Sequence, residues 1–516
     1  MVDFIPTKIA TKIYNVRIGG DSAFFKGVMR LVIERHEANL KAGLPGVLDW
    51  DFIQNETAGY EALREDVLGT DWAVLTERAG LPKSDFEELA DLYCRSNATI
   101  IAYGMGATQH ETGTQNIQQL INLLLLRGNI GKPGAGIAPI RGHSNVQGDR
   151  TVGITEKPSA TLIANLKKLY GFDTPPEWGH NCVTAFQAMS EGKLNAMIFL
   201  GGNLLFAMPD QTRNIPSMKA LPLAVHLGTK LNRGHLTTSK TTYLFPVIAR
   251  TEIDRQASGP QQITVEDSMS MVHASAGKLE PASPYLKSEC AIVAGLAKAT
   301  IPNSKVPWDA YVADYGKIRD AIETIYPIFK GYNELIKQPG GFHLYNAAEN
   351  RVWDTPNKKA NFIVMEGVNE DPRVFGEAEF SLATLRSHDQ YNTTIYGWDD
   401  RYRGVYGMRN VLFMAPEESE RLGLKEGEFV NVIALDKAGH PTKRRLDGLV
   451  LVNFKMAIRS VAAYFPEAND LLDLDNFDEA SGIPAYKNIP VLVEKAQHQA
   501  GNLVKGEGDG TDNPNE

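Results

Sequence analysis

Asn195-Ala-Met-Ile-Phe-Leu-Gly-Gly-Asn203 is an apolar, β-prone run that stops on two glycines and an asparagine. It reads as a short strand whose carboxyl end opens into a turn. The pattern recurs on both sides, at Ala98-Thr-Ile-Ile-Ala-Tyr-Gly104, at Leu221-Pro-Leu-Ala-Val-His-Leu-Gly-Thr229 and at Thr242-Tyr-Leu-Phe-Pro-Val-Ile248. A polar turn from Met105 to Thr114 leads from the first run into a helix that ends at Arg127, before Gly128-Asn129. Strands alternating with helices predict an α/β chain built on parallel sheet.

Upstream, Lys12 to Ile18 reads as a short strand, and Ile18 to His36 carries apolar residues at helical spacing after a Gly/Asp/Ser start. One strand and a few helices make a poor core, so residues 1–95 read as the end of a domain. Residues 260–375 are loop-rich, with helices near 288–299 and 308–330. After about 378 strands take over: Phe380-Ser-Leu-Ala-Thr-Leu-Arg386, Glu428 to Leu435 and Gly448 to Phe454 suggest a small β-barrel. A short helix opens between them at Pro416, with Glu417 and Glu418 at the positive end of its dipole. Gly506 to Glu516 reads as a disordered tail.

The chain has 516 residues, 43% hydrophobic and 22% charged, which is ordinary globular composition. At about 100–200 residues per domain it holds about three domains. The net charge of −9 offers no basic surface for nucleic acid. The longest apolar run, Ile121 to Leu126, is far short of the ~20 residues of a membrane span. Cys94, Cys182 and Cys290 lie far apart and read as buried, reduced thiols of a cytoplasmic protein. The N-terminus lacks the basic-then-apolar order of a signal peptide.

In a parallel sheet, ligands bind beyond the carboxyl ends of the strands. Three such ends carry Gly or Thr with polar residues: Gly104-Met-Gly-Ala-Thr-Gln109, Gly201-Gly-Asn203 and Gly228-Thr-Lys-Leu-Asn-Arg233. Each alone could be an ordinary tight turn; three together point to a nucleotide-like ligand. Gln109 stands at the third glycine position of G-x-G-x-x-G, which weakens a nicotinamide reading. The stretch from Arg127 to Arg150 packs eight Gly or Pro residues among Arg, Lys, His, Asn and Gln. There Arg141 could hold a small anion and His143 could exchange a proton, or the stretch could be a surface loop. Hydrolase elbows, phosphate loops and zinc motifs are missing from the sequence.

The runs Gly104 to His110, Leu126 to Gly136 and Pro139-Ile-Arg-Gly-His-Ser-Asn-Val-Gln-Gly148 resemble molybdopterin oxidoreductases of the formate-dehydrogenase alpha-subunit-like branch of the dimethyl-sulfoxide-reductase superfamily. The likeness continues at Arg386-Ser-His-Asp-Gln-Tyr-Asn-Thr393, Ala415 to Glu428, Tyr464-Phe-Pro-Glu-Ala-Asn469 and Pro484-Ala-Tyr-Lys487, in the family's order over residues ~15–495. It implies Rossmann-like parallel-sheet domains followed by a C-terminal double-psi β-barrel. Residues 1–95 would be the remnant of a first α/β domain, 96–375 a molybdopterin-binding α/β domain, and 376–500 the barrel, with 501–516 as tail.

The implied cofactor is molybdenum held by two molybdopterin guanine dinucleotides. By position, Gly106, Thr108, Gly201, Gly202, Asn203, Thr229, Lys230 and Asn232 match dinucleotide contacts of the α/β part. Arg386, Gln390, Asn392, Thr393, Asn469 and Lys487 match those of the barrel. Arg141 matches the arginine beside molybdenum. His143 departs from the family, since formate dehydrogenases of this type read Arg-Gly-Gln where this chain has Arg141-Gly-His143, and as an enzyme residue it would relay a proton. The family's [4Fe–4S] cysteines and its molybdenum-ligating cysteine or selenocysteine have no counterpart here, and three scattered thiols cannot hold a four-iron cluster.

The resulting expectation is a two-electron oxidoreductase acting on a small anion. It would be completed by a missing N-terminal portion or a separate redox subunit, with apolar surface left exposed where that part packs. The alternatives are a split or remnant half that binds the dinucleotide or a partner without turnover, and a nicotinamide dehydrogenase using Gly104-Met-Gly106.

Overall fold

The computed structural model describes residues 10–365, 368, 379–393 and 395–496; the expected tail lies outside them. Helix Asp21–Lys41 forms as the spacing predicts. It buries Phe24, Val28, Met29, Val32 and Ile33 against Phe86, Ala90 and Tyr93. Gly27 is required at this contact, since a β-carbon there would sit 2.4 Å from the Phe86 ring. The same core takes in Leu123, Leu125 and Leu126 and, from much later in the chain, Ala360, Phe362 and Val368. Packing is therefore continuous across residue 95. The strand expected at Lys12–Ile18 does not form. Its backbone is bonded to a helix end and a side chain instead of a ladder, Arg17 N–H donating to Ala79 O (2.8 Å) and Ile18 N–H to Ser460 Oγ (3.3 Å).

The four predicted α/β strands are all present, in two separate parallel sheets. Ile100–Tyr103 pairs with Gly136–Pro139. Ala196–Leu200, Leu223–Gly228 and Thr241–Pro246 lie side by side in chain order, with Phe199, His226 and Leu244 in register. One face of the second sheet packs Phe199 and Ala224 on Val183, Phe186 and Met218. The other packs Val225 and Leu227 on Val247 and Ile292. On that second face the edge strand leaves Ile198 and Leu200 more than half exposed, and Ile100 of the two-stranded sheet is 61% exposed.

The 260–375 region holds helices Glu289–Thr300, Trp308–Ala313 and Gly316–Ile325. It also holds an unforeseen antiparallel sheet of Ile263–Glu266, Met271–Ser275 and Phe342–His343. Beyond it a closed six-stranded barrel forms. Its first strand, Glu379–Leu385, runs parallel to Ser460–Tyr464 and antiparallel to the last, Ile489–Lys495. Val411–Met414, Pro441–Asn453 and Phe429–Leu435 complete the ring. Phe380, Leu382, Leu412, Met414, Val430, Val432, Leu451, Val461 and Val491 fill it without exposure.

The thiols depart from expectation. Cys182 is exposed, and Cys94 and Cys290 are half-buried; all three are free. Cys182 opens helix Cys182–Ser190, where the first turn is uncovered on one side. No helix among the described residues is long and apolar enough to cross a membrane.

Candidate functional site

The strand Ala196–Leu200 ends on Gly201 and Gly202, both at φ +67°. Two left-handed residues in succession turn the chain sharply and are tolerated because neither carries a β-carbon. A β-carbon on Gly202 would meet nothing within 4 Å, so the turn has one open side. Asn203 follows and precedes the single helical turn Leu204–Ala207.

The neighbouring strand ends at Gly228, leaving Thr229 and Lys230 exposed. Asn232 ties the two strand ends together. Its Nδ2 donates to Gly202 O (2.9 Å), its Oδ1 accepts from Gly234 N–H (2.9 Å), and its backbone N–H donates to His235 Nδ1 (3.2 Å). His226 lies beneath, stacked on Phe199 at 4.6 Å and edge-on to His235 at 5.1 Å. Burial, then His235, lowers its pKa to about 4.

The barrel meets these turns. Thr393 Oγ1 donates to Asn203 O at 3.5 Å. Asn469 Nδ2 reaches Phe206 O (3.0 Å) and Ala207 O (3.3 Å), closing the end of the turn that follows Asn203. Arg444 fixes the same junction, bonded to Asp210 (2.8 Å) and Asp473 (2.9 Å). Asn203, Asn392, Thr393 and Asn469 thus come together from opposite sides. Three of them, Asn203, Asn392 and Asn469, hold a buried Oδ1 with no hydrogen-bond partner. Such orphaned acceptors are uncommon in folded proteins.

Gln390 was expected to face a ligand; its amide is engaged by its own loop, by Phe465 and by Arg409. It donates to Asn392 O (2.9 Å) and Phe465 O (2.6 Å) and accepts from Ser387 N–H (2.9 Å) and Arg409 Nη2 (3.1 Å).

The first strand end joins the barrel at another point. Gly106 and Thr108 lie on a single turn, Met105–Thr108, and Gly106 is exposed with its carbonyl bonded to His110 Nε2 (2.7 Å). Gln109, directly after Thr108, accepts at its carbonyl from Lys487 N–H (2.8 Å). The Lys487 ammonium bonds to Thr384, and burial, then the Arg386 guanidinium, lowers its pKa to about 7. Arg386 in turn lies over the Phe465 ring at 5.4 Å.

Arg141 and His143 are on an exposed loop after the strand Gly136–Pro139. Arg141 Nη2 donates to Gln147 Oε1 at 3.0 Å. His143 packs on the Tyr391 ring at 4.5 Å, and burial, then Arg386, lowers its pKa below the usual value. One loop therefore carries a guanidinium and an imidazole, side chains able to hold an anion and to exchange a proton. Tyr391 lies in the run Arg386–Thr393 and His226 in the strand run Leu221–Thr229; Arg409 stands in no motif, and only its contacts single it out. A separate cavity of about 760 Å³, lined by Asp254, Arg255, Glu280 and Lys287, includes none of the predicted residues. Among the described residues, no three His, Cys, Asp or Glu side chains converge as metal ligands.

Residues 14–230 match the molybdopterin oxidoreductase family. The chain is 55% identical to Protein YdeP of Escherichia coli over 95% of its own length and 64% of that protein's. It is 39% identical to an uncharacterized oxidoreductase of Mycobacterium tuberculosis over 94% of its length and 62% of the relative's. The chain thus spans just under two thirds of the curated relatives it matches. Over 102 residues it is 40% identical to the F420-dependent formate dehydrogenase 1 subunit alpha of Methanococcus maripaludis, covering 20% of this chain and 15% of that one. Acetylene hydratase from Pelobacter acetylenicus shares the fold, with a TM-score of 0.61 at 17% identity over 93% of this chain and 71% of its own. By the family match, residues 14–230 are a molybdopterin oxidoreductase domain, and the long alignments carry the likeness to these relatives over 94–95% of the chain.

Proposed function

We propose that this chain supplies part of the cradle for a molybdenum–pterin cofactor in its guanine dinucleotide form. The whole protein would carry out two-electron redox on a small anionic substrate, as a formate-dehydrogenase-like enzyme. In this reading the α/β part (96–375) and the barrel (376–500), taken as the double-psi type, face each other across the ligand. The observation that carries it is the trio of unpartnered oxygens on Asn203, Asn392 and Asn469. Guanine and ribose present N–H and O–H donors, which is what three buried acceptors lack. The open side of Gly202 and the exposed Thr229 and Lys230 suit the close approach of a pyrophosphate.

When bound, the cofactor supplies the two-electron redox chemistry. The chain's own part is positional. Arg141 orients the anion and the neutral His143 takes up a proton. The three dispersed thiols of this chain would not hold a four-iron cluster. The three free thiols suit a reducing, cytoplasmic setting.

Metal and guanine-nucleotide analysis of protein purified from its native host tests the reading. Molybdenum together with guanine nucleotide is expected; protein that carries neither sinks it. Arg141→Ala in the active protein should abolish turnover and leave molybdenum content intact. Loss of the metal along with activity would make that arginine structural.

A further inference from the structure

Arg409 is 3% exposed and lies outside every predicted contact. Its guanidinium forks onto Glu467, Nε to Oε1 at 2.6 Å and Nη2 to Oε2 at 3.1 Å. Nη1 donates to Ser387 Oγ (2.7 Å); Nη2 also donates to Gln390 Oε1 (3.1 Å) and Phe465 O (2.8 Å). The rings of Tyr396 and Tyr464 lie against it at 4.4 and 4.7 Å.

The Glu467 side chain is 34% exposed. Even a fully buried ion pair can often be replaced by apolar residues without loss of stability, so the pair is weak evidence of a role in stability alone. A single ion pair would also need only Glu467. This guanidinium instead reaches two separate stretches, each leading to an asparagine with an orphaned oxygen. Through Ser387 and Gln390 it holds the loop whose next turn sets Asn392 in the left-handed region at φ +50°, with Gln390 Nε2 fixing the Asn392 carbonyl. Through Phe465 and Glu467 it holds the start of the turn Glu467–Leu471, which carries Asn469. The planar five-donor fork is what allows one side chain to do this.

We propose that Arg409 is the positioning residue of the cradle, setting Asn392 and Asn469 in register for the donors of one guanine nucleotide. This rests on the cradle reading given above. Arg409 touches no ligand itself; it acts through Ser387, Gln390 and Glu467.

The test compares the full chain with Arg409→Lys, Gln390→Ala and Asn392→Ala, by hydrogen-exchange mass spectrometry and by titration with GDP. Lysine keeps a charge on Glu467 but cannot span both stretches. Gln390→Ala leaves the ion pair untouched. Both variants should raise exchange at least about fivefold in peptides covering 387–393, with strands Phe429–Leu435 and Pro441–Asn453 unchanged. Both should weaken GDP about tenfold. Asn392→Ala should weaken GDP with the loop's exchange unchanged.

Wild-type exchange and affinity in both variants would overturn the proposal. So would equal loosening of loop and barrel strands, which would make Arg409 a residue of barrel stability. A wild-type chain that binds no GDP overturns the cradle reading instead, and loop exchange alone then decides whether Arg409 sets the loop.

Discussion

Lys487 and His226 each carry a charge state imposed by their surroundings. Lys487 is buried against Arg386 with Thr384 as its acceptor, and its pKa falls to about 7. It gains charge as pH drops through 7, so in the proposed cradle an anion would be held more firmly on the acid side. GDP titrations at pH 6 and pH 8 should show a larger affinity difference for the wild-type chain than for Lys487→Met. His226 has a folded pKa near 4 against about 6.5 unfolded. The unfolded chain therefore binds more protons below pH 6.5. The stability that comes from a neutral His226 is intact above that value. It is lost as pH falls towards 4, by about 3 kcal/mol once both states are protonated. Denaturant unfolding at pH 7 and pH 4.5 should show a smaller loss for His226→Leu than for wild type. Residues in contiguous runs, such as Arg386 to Thr393, were legible in the sequence. The Arg409–Glu467 pair, 58 positions apart, was not, because only barrel closure brings it together.

The paired glycines after Ala196–Leu200 offer a test at the level of one element. Gly202→Ala meets no atom, so its cost is the strained backbone alone, about 1 kcal/mol. The added methyl occupies the open side of the turn and should also abolish GDP binding. Gly192 supplies the control, with φ +69° and no atom within 4 Å. Gly192→Ala should cost about the same in denaturant unfolding and leave binding unchanged. The strands feeding such turns were readable because apolar runs end on glycine within a few residues. The Ile263–Glu266, Met271–Ser275 and Phe342–His343 sheet escaped because its third strand is two residues long and lies some seventy positions further on. Lys12–Ile18 failed the other way: a β-prone run makes no strand when its bonding partners are a helix-end carbonyl and a serine hydroxyl.

For the molecule as a whole, the uncovered apolar side chains matter most. Parallel sheet is normally covered on both faces, yet Ile100, Ile198 and Leu200 are exposed, as are Leu231 and Leu236 near the strand ends. The chain expressed alone should bind a hydrophobic dye and self-associate in sedimentation experiments. Ile198→Lys with Leu200→Lys should reduce both effects and leave the thermal midpoint within a few degrees. Unchanged dye binding would place the sticky surface elsewhere. The barrel's strand order has a consequence in time. Its first strand, Glu379–Leu385, needs Ile489–Lys495 beside it, so the ring cannot close during synthesis until residue 495 has emerged from the ribosome. The Gly201–Asn203 turn is translated far earlier. Its orphaned acceptor has no opposite wall until Asn469 has been made, so in the proposed cradle a nucleotide would be loaded only after the barrel has closed.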